Sequence, residues 1–132
     1  MTVPRATGTF DVTLTPRSAG HAGKAVGCFS IDKRFEGDLT GTSKGEMMSA
    51  GSPPSGSAGY VAIECVTGTL GGREGTFALQ HTGTMDRGSN ELSIRVVPGS
   101  GTGGLTGLSG TFAIVIADGK HSYEFDYELA AG

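Results

Sequence analysis

Val96-Val97-Pro98-Gly99-Ser100-Gly101-Thr102-Gly103-Gly104-Leu105-Thr106-Gly107-Leu108-Ser109-Gly110-Thr111-Phe112 is the stretch whose reading decides the fold. A β-rich segment breaks here into glycines and then resumes. No apolar residues recur at helical spacing, and alternating strands stand on both sides. The stretch reads as the crossing between neighbouring strands of a closed sheet.

Outward from it, apolar and polar residues alternate almost everywhere, as in strands with one covered face. Phe10, Val12 and Leu14 mark a first strand, Phe29 and Ile31 a second, and the segment from Gly37 to Ala50 a third. Ser52-Pro53-Pro54-Ser55-Gly56 makes a loop, because proline has no N–H to give a ladder. Tyr60 to Val66, Thr76 to His81 and Leu92 to Val97 supply three more strands, separated by Gly68, by Gly71-Gly72 and by the run from Asp86 to Asn90. In the clearest hairpin, Phe112, Ile114 and Ile116 run into the turn Asp118-Gly119, and His121, Tyr123, Phe125, Tyr127 and Leu129 return. About eight antiparallel strands result. No window shows helical periodicity with a cap and a stop. An all-β meander leaves two open edges unless it closes on itself. The expected fold is therefore all-β, a small closed antiparallel barrel in one domain over residues 1–132.

The 24 glycines need a physical reason, since glycine weakens strands. They show no collagen-like period and are interleaved with β-branched and aromatic residues, so they form no flexible linker. Gly37, Leu39, Gly41, Ser43, Gly45 and Met47 fall on one face of an extended segment, with Asp38, Thr40, Thr42, Lys44 and Glu46 on the other. A face this small suits a tightly curved sheet, where it leaves room for bulky residues across a narrow barrel. Gly-Thr pairs at Gly8, Gly68, Gly75 and Gly110 recur at unequal intervals, so they mark strand entries and not a repeat.

At 132 residues the chain can bury a core without staples. A net charge of -3 and the absence of clustered Lys and Arg exclude nucleic acid and acidic membranes as expected partners. No apolar run approaches the roughly 20 residues of a membrane helix. Cys28 and Cys65 are the only cysteines and no positive-then-apolar leader precedes Thr7, which points to a cytoplasmic protein with reduced thiols. Neither cysteine has a neighbouring His or Lys in sequence to favour its thiolate, so both read as small core or interface residues.

Two motifs fail on context. Gly99 to Gly104 satisfies the dinucleotide fingerprint, yet Leu-Thr-Gly-Leu-Ser-Gly follows and opens no helix to hold a pyrophosphate. No glycine loop ends in Lys-Ser or Lys-Thr. His21, His81 and His121 are far apart, and no Cys or His pair has zinc-like spacing, so no metal or other cofactor is expected.

Polar residues on apolar faces are the remaining candidates for chemistry. Glu64 shares a face with Tyr60, Ala62 and Val66. It either points into the barrel, where a carboxylate kept from water suits acid/base work, or lies outside paired with a cation. His81 follows Phe77 and Leu79 on one face, as a structural histidine or a second proton-transfer group. Gln80 and Arg73 can orient an oxygen-rich ligand or cap the rim. His121, Tyr123 and Tyr127 share a face around Phe125, either as an aromatic core or as donors lining a pocket. Glu46 is a minor binding candidate beside Lys44, which makes an ordinary solvated charge pair with it or with a neighbouring strand.

Lys33-Arg34-Phe35-Glu36-Gly37-Asp38-Leu39, Ser43-Lys44-Gly45-Glu46-Met47, Ser57 to Glu64, Gly68 to Arg73, Phe77 to His81, Val97 to Gly103, Gly107 to Gly110 and Gly119 to Tyr123 together carry a family resemblance. From about Thr7 to Leu129 the chain resembles the bacterial domain-of-unknown-function family 3224, whose fold is similar to the allene oxide cyclase barrel. The resemblance implies a small antiparallel barrel of the allene oxide cyclase and dirigent kind, commonly a homo-oligomer. It implies no activity, because function lives in a site and not in a fold. Two expectations stand together. One is a cofactor-independent isomerase, cyclase or lyase acting on an apolar or amphipathic small molecule, with Glu64 or His81 moving a proton and Tyr60, Tyr123 or Tyr127 stabilising oxygen charge. The other is a non-catalytic ligand-binding or structural homo-oligomeric barrel.

Overall fold

In a computed structural model that describes residues 4–52 and 56–129, eight antiparallel strands follow one another in chain order. They are β1 (Arg5–Pro16), β2 (Gly27–Gly37), β3 (Leu39–Ser52), β4 (Ser57–Leu70), β5 (Arg73–Asp86), β6 (Ser89–Val96), β7 (Ser109–Ala117) and β8 (Lys120–Glu128). Each strand pairs with the next and β8 returns to β1, so the sheet closes into a barrel. At that closing seam Arg5 stands opposite Asp126 and grips its carboxylate with Nε and Nη2, at 2.7 and 3.0 Å. Of the expected proline loop, Pro53, Pro54 and Ser55 lie outside the described residues. No helix among the described residues is long and apolar enough to cross a membrane.

The turns follow from local chemistry. Asp118 and Gly119 both take positive φ, 52° and 74°, the two-residue turn whose twist matches its strands. The third strand begins two residues later than the alternation from Gly37 suggests. Gly37 ends β2, and Asp38 turns the chain, its carboxylate accepting the Thr7 N–H at 2.9 Å while its own N–H donates to the Thr7 carbonyl at 3.0 Å.

Alternate residues point inward on every strand, and the core is Phe10, Phe35, Leu39, Val66, Leu70, Phe77, Leu79, Ile94, Val96, Phe112, Tyr123 and Phe125 with Ala6. One end of the barrel is sealed. There the glycine-rich crossing from β6 to β7 lies along β5, with the Val97 N–H bonded to the Ala78 carbonyl at 2.9 Å and the Thr102 N–H to the Thr76 carbonyl at 2.8 Å. It then drops Leu105 and Leu108 into the barrel, where both join the core. Gly75 permits that approach, because any side chain there would run into the Thr102 carbonyl and Leu105. The Tyr123 hydroxyl braces the same end, accepting the Leu39 N–H at 2.9 Å and sharing its one hydrogen between the carbonyls of Glu36, at 3.0 Å, and Leu39, at 3.1 Å.

The opposite end is open. Leu14, Met85, Leu92 and Ile116 belong to inward-facing rows, yet each is about half exposed or more. The seam between β6 and β7 is the thinnest in the wall. Its ladder is the one pair Arg95 and Thr111, so from Ser89 to Ile94 the β7-facing edge of β6 has no strand partner.

Candidate functional site

Four polar side chains meet inside the wall formed by β2 to β5. Lys33 of β2 faces inward between Ile31 and Phe35, Ser43 comes from the small face of β3, Glu64 from β4, and His81 from β5. The register explains how Lys33 reaches Glu64 across a whole strand. Gly45 of β3 lies opposite both Ile31 and Glu64, and Ser43 lies opposite Lys33, so the strand between them raises no bulk in the way. Lys33 Nζ donates to Glu64 Oε2 at 2.7 Å, His81 Nε2 to the same oxygen at 2.6 Å, and Ser43 Oγ to Oε1 at 2.7 Å. The ammonium also stands 5.0 Å from the Phe10 ring centre, within cation–π reach.

Glu64 has no exposed surface, His81 is 4% exposed and Lys33 8%. Burial is the largest influence on the Glu64 carboxyl and pushes it up. The hydrogen bond from His81 and the charge and hydrogen bond of Lys33 outweigh it together, and hold the group at about 2 against an ordinary 4.5. Glu64 is thus ionised and accepts from all three partners. It follows that Nε2 of His81 carries the proton when the ring is neutral, and that Nδ1 presents a lone pair. Among the described residues Nδ1 has no partner, and no buried side-chain polar atom is left unsatisfied, so this nitrogen is not sealed away.

Above the four lies the open end. Tyr60, one inward step from Ala62 on β4, sits 6.3 Å from the His81 ring, centre to centre, and covers Gly83 so closely that any side chain there would strike it. Burial, and secondarily the charge of Glu64, pushes the Tyr60 phenol up. Past Tyr60 opens a cavity of about 330 Å³ lined by Met47, Ala58, Tyr60, Met85 and Leu92 among others. Apolar walls over a few convergent polar groups are the usual build of a small-molecule site.

The family model for proteins of unknown function DUF3224 matches residues 6–127. The chain belongs to the DUF3224 family. A crystal structure of a DUF3224 protein of unknown function from Shewanella oneidensis MR-1 is similar to it, at 50% identity and a TM-score of 0.92, over 98% of this chain and 99% of that one. No curated protein matches the chain.

In this DUF3224 barrel the residues singled out from sequence separate into three places. Glu64, His81 and Tyr60 come together on the inner wall below the open end. His121 also faces inward, across the barrel, with its ring 5.3 Å from that of Phe10. Tyr123 and Tyr127 lie toward the sealed end, Tyr123 saturated by backbone partners and Tyr127 packed on Phe125 at 5.5 Å. Arg73 stands exposed at that end, where β5 begins. Glu46 and Gln80 are exposed on the outer wall and share a groove of about 650 Å³ with Met48, Val61 and Ile63 that also reaches His81, and Arg17 Nη1 lies 3.8 Å from Glu46. Lys44 pairs with Asp32 on the neighbouring strand at 3.3 Å. Sequence reasoning missed Lys33 and Ser43 as members of the cluster. The signal was present, since Lys33 falls on the alternating row Phe29, Ile31, Lys33, Phe35. Among the described residues no group of three or more His, Cys, Asp or Glu side chains offers a metal a ligand set.

Proposed function

We propose that the protein binds an apolar or amphipathic small molecule in the open end of its barrel and that the Glu64–His81 pair moves a proton on it, without a cofactor, in a reaction of the isomerase, cyclase or lyase type. One observation carries this reading: Tyr60, which lines an apolar cavity at the open end, lies with its ring 6.3 Å from a carboxylate-held imidazole whose second nitrogen has no partner among the described residues. A carboxylate that fixes one imidazole nitrogen orients the ring and stabilises the cation formed when the other takes a proton. The reading keeps the allene oxide cyclase-like and dirigent-like barrels as its nearest expected parallels in use. It also keeps the cytoplasm as the expected compartment, with Cys28 and Cys65 as free thiols.

Native mass spectrometry of the protein as purified tests the binding half, together with titration by the uncharged apolar dye Nile red. A retained mass or saturable dye binding is expected, and Ala58→Trp, which fills the cavity from its exposed rim, is expected to abolish either. Binding that persists unchanged in Ala58→Trp moves the site elsewhere and removes the proposal.

A non-catalytic homo-oligomeric barrel is the second reading. It draws on the outer groove, where Met48, Val61 and Ile63 are each about half exposed on one face of β3 and β4. A monomeric mass by light scattering at micromolar concentration would remove it.

A further inference from the structure

Lys33 is a buried cation that proton transfer by His81 does not by itself require. Its ammonium has three donors, and among the described residues one hydrogen bond occupies it, to Glu64. Lys33 Nζ and His81 Nε2 meet on the same oxygen, Oε2, so an ammonium and an imidazole stand side by side under the open end.

Charge selects what such a pair can receive. The Glu64 carboxylate and the Lys33 ammonium, 2.7 Å apart, already cancel each other, which a site this dry requires. An anionic headgroup brought beside Lys33 would leave a charge uncancelled. An uncharged carbonyl would not, and its proton transfer builds two matched pairs: imidazolium against Glu64, and oxyanion against Lys33.

We infer that the substrate is an uncharged, enolisable carbonyl compound with an apolar body, whose oxygen Lys33 polarises while His81 Nδ1 takes the proton from the adjacent carbon. This rests on the proton-transfer reading above. The C–H electron pair becomes the C=C bond of the enolate, and the carbonyl π pair moves onto the oxygen beside Lys33. The proton rests on Nδ1 until it returns to the same carbon or to one conjugated with it. Atoms and electrons balance without oxidant, reductant or second substrate. Ammonium and imidazolium then face the charge that develops, the arrangement by which buried electrostatic groups accelerate a step.

Methyl pentyl ketone in heavy water, with the intact protein, provides the test. Proton NMR reads binding by saturation transfer and catalysis by loss of the signals from the carbons flanking the carbonyl. Binding is expected together with exchange above the buffer rate. His81→Gln is expected to cut exchange by about 100-fold, the lower range for losing a general base, and Lys33→Met to cut exchange while the ketone still binds. Hexanoate, a carboxylate of similar length, is expected not to displace the ketone. That comparison uses the unaltered protein and so decides the matter even if Lys33→Met does not fold. Ketone binding without exchange overturns the substrate class and leaves ligand binding intact. Hexanoate binding tighter than the ketone overturns the charge argument. Failure of the ketone to bind where Nile red does bind overturns the class as well, whereas failure of both removes the reading beneath it.

Discussion

At the sealed end of the barrel Leu39, Leu70 and Leu105 are wholly buried, while at the open end Leu14, Met85, Leu92 and Ile116, on the same inward rows, stand about half exposed or more. Alternation is the same in both places. The connections differ. The crossing from Val97 to Leu108 carries two leucines into the barrel, whereas the described connection from Arg17 to Val26 at the open end carries no buried side chain. The β5–β6 and β7–β8 turns there have two residues each and cannot reach across. A closed sheet thus becomes a cup when one of its ends is given a plug and the other is not. The Lys33–Glu64–His81–Ser43 cluster sits where the dry half meets the wet half.

The largest expected effect tests whether the cluster belongs to the dry half. Lys33→Met strands Glu64 without its cation, and urea denaturation should show a loss of about 3–5 kcal/mol. The double variant Lys33→Met with Glu64→Leu should recover most of it, since an apolar replacement of a buried pair is often neutral. A loss below about 1 kcal/mol in Lys33→Met would mean that water reaches the carboxylate freely.

Next comes the contrast between ends. Leu105→Ala should lose about 2–5 kcal/mol by the same measurement, while Ile116→Ala, at a residue 66% exposed, should stay within roughly 0.5 kcal/mol. A substantial loss at Ile116 would show that the open end is covered in solution.

Acid sharpens the boundary further. The Glu64 carboxyl is depressed from 4.5 to about 2, so its contribution is complete above the ordinary value and is lost as pH falls toward the folded one. That contribution is on the order of 3 kcal/mol. Stability followed from neutral pH down to about 2 should fall through this window, and Glu64→Gln should flatten the fall.

The smallest effect separates the sealed end from the site. Tyr123→Phe leaves the Leu39 N–H without its acceptor and should cost about 1–3 kcal/mol. Dye binding at the open end should be unchanged, and a weakened titration would tie Tyr123 to the ligand.

Much of this was legible in the chain. Period-two alternation sorted the inner from the outer rows, the Asp118-Gly119 hairpin is where its residues require it, and Glu64 and His81 share the inner wall, one of the two placements that their faces left open. Gln80 shows the limit of the same rule: as the neighbour of His81 in a strand it faces the other way, and it stands exposed on the outer wall while His81 bonds Glu64 inside. Lys33 was hidden because a lysine in sequence reads as solvated, and only the register, which sets Ser43 and Gly45 between Lys33 and Glu64, reveals that its charge is matched. Which end is plugged was not readable at all. That depends on where the glycine-rich crossing folds, a tertiary matter set by its approach to Gly75 and β5.

The thin β6–β7 seam carries a consequence for motion. A stave that shares its ladder with only one neighbour over Ser89 to Ile94 detaches at lower free energy than β4, which is paired along its full length on both sides. Amide protons of β6 will therefore exchange with solvent ahead of those of β4, and each such local opening widens the rim sideways next to Leu92. Breathing of one stave gives a rigid cup a way to admit a guest broader than its resting aperture.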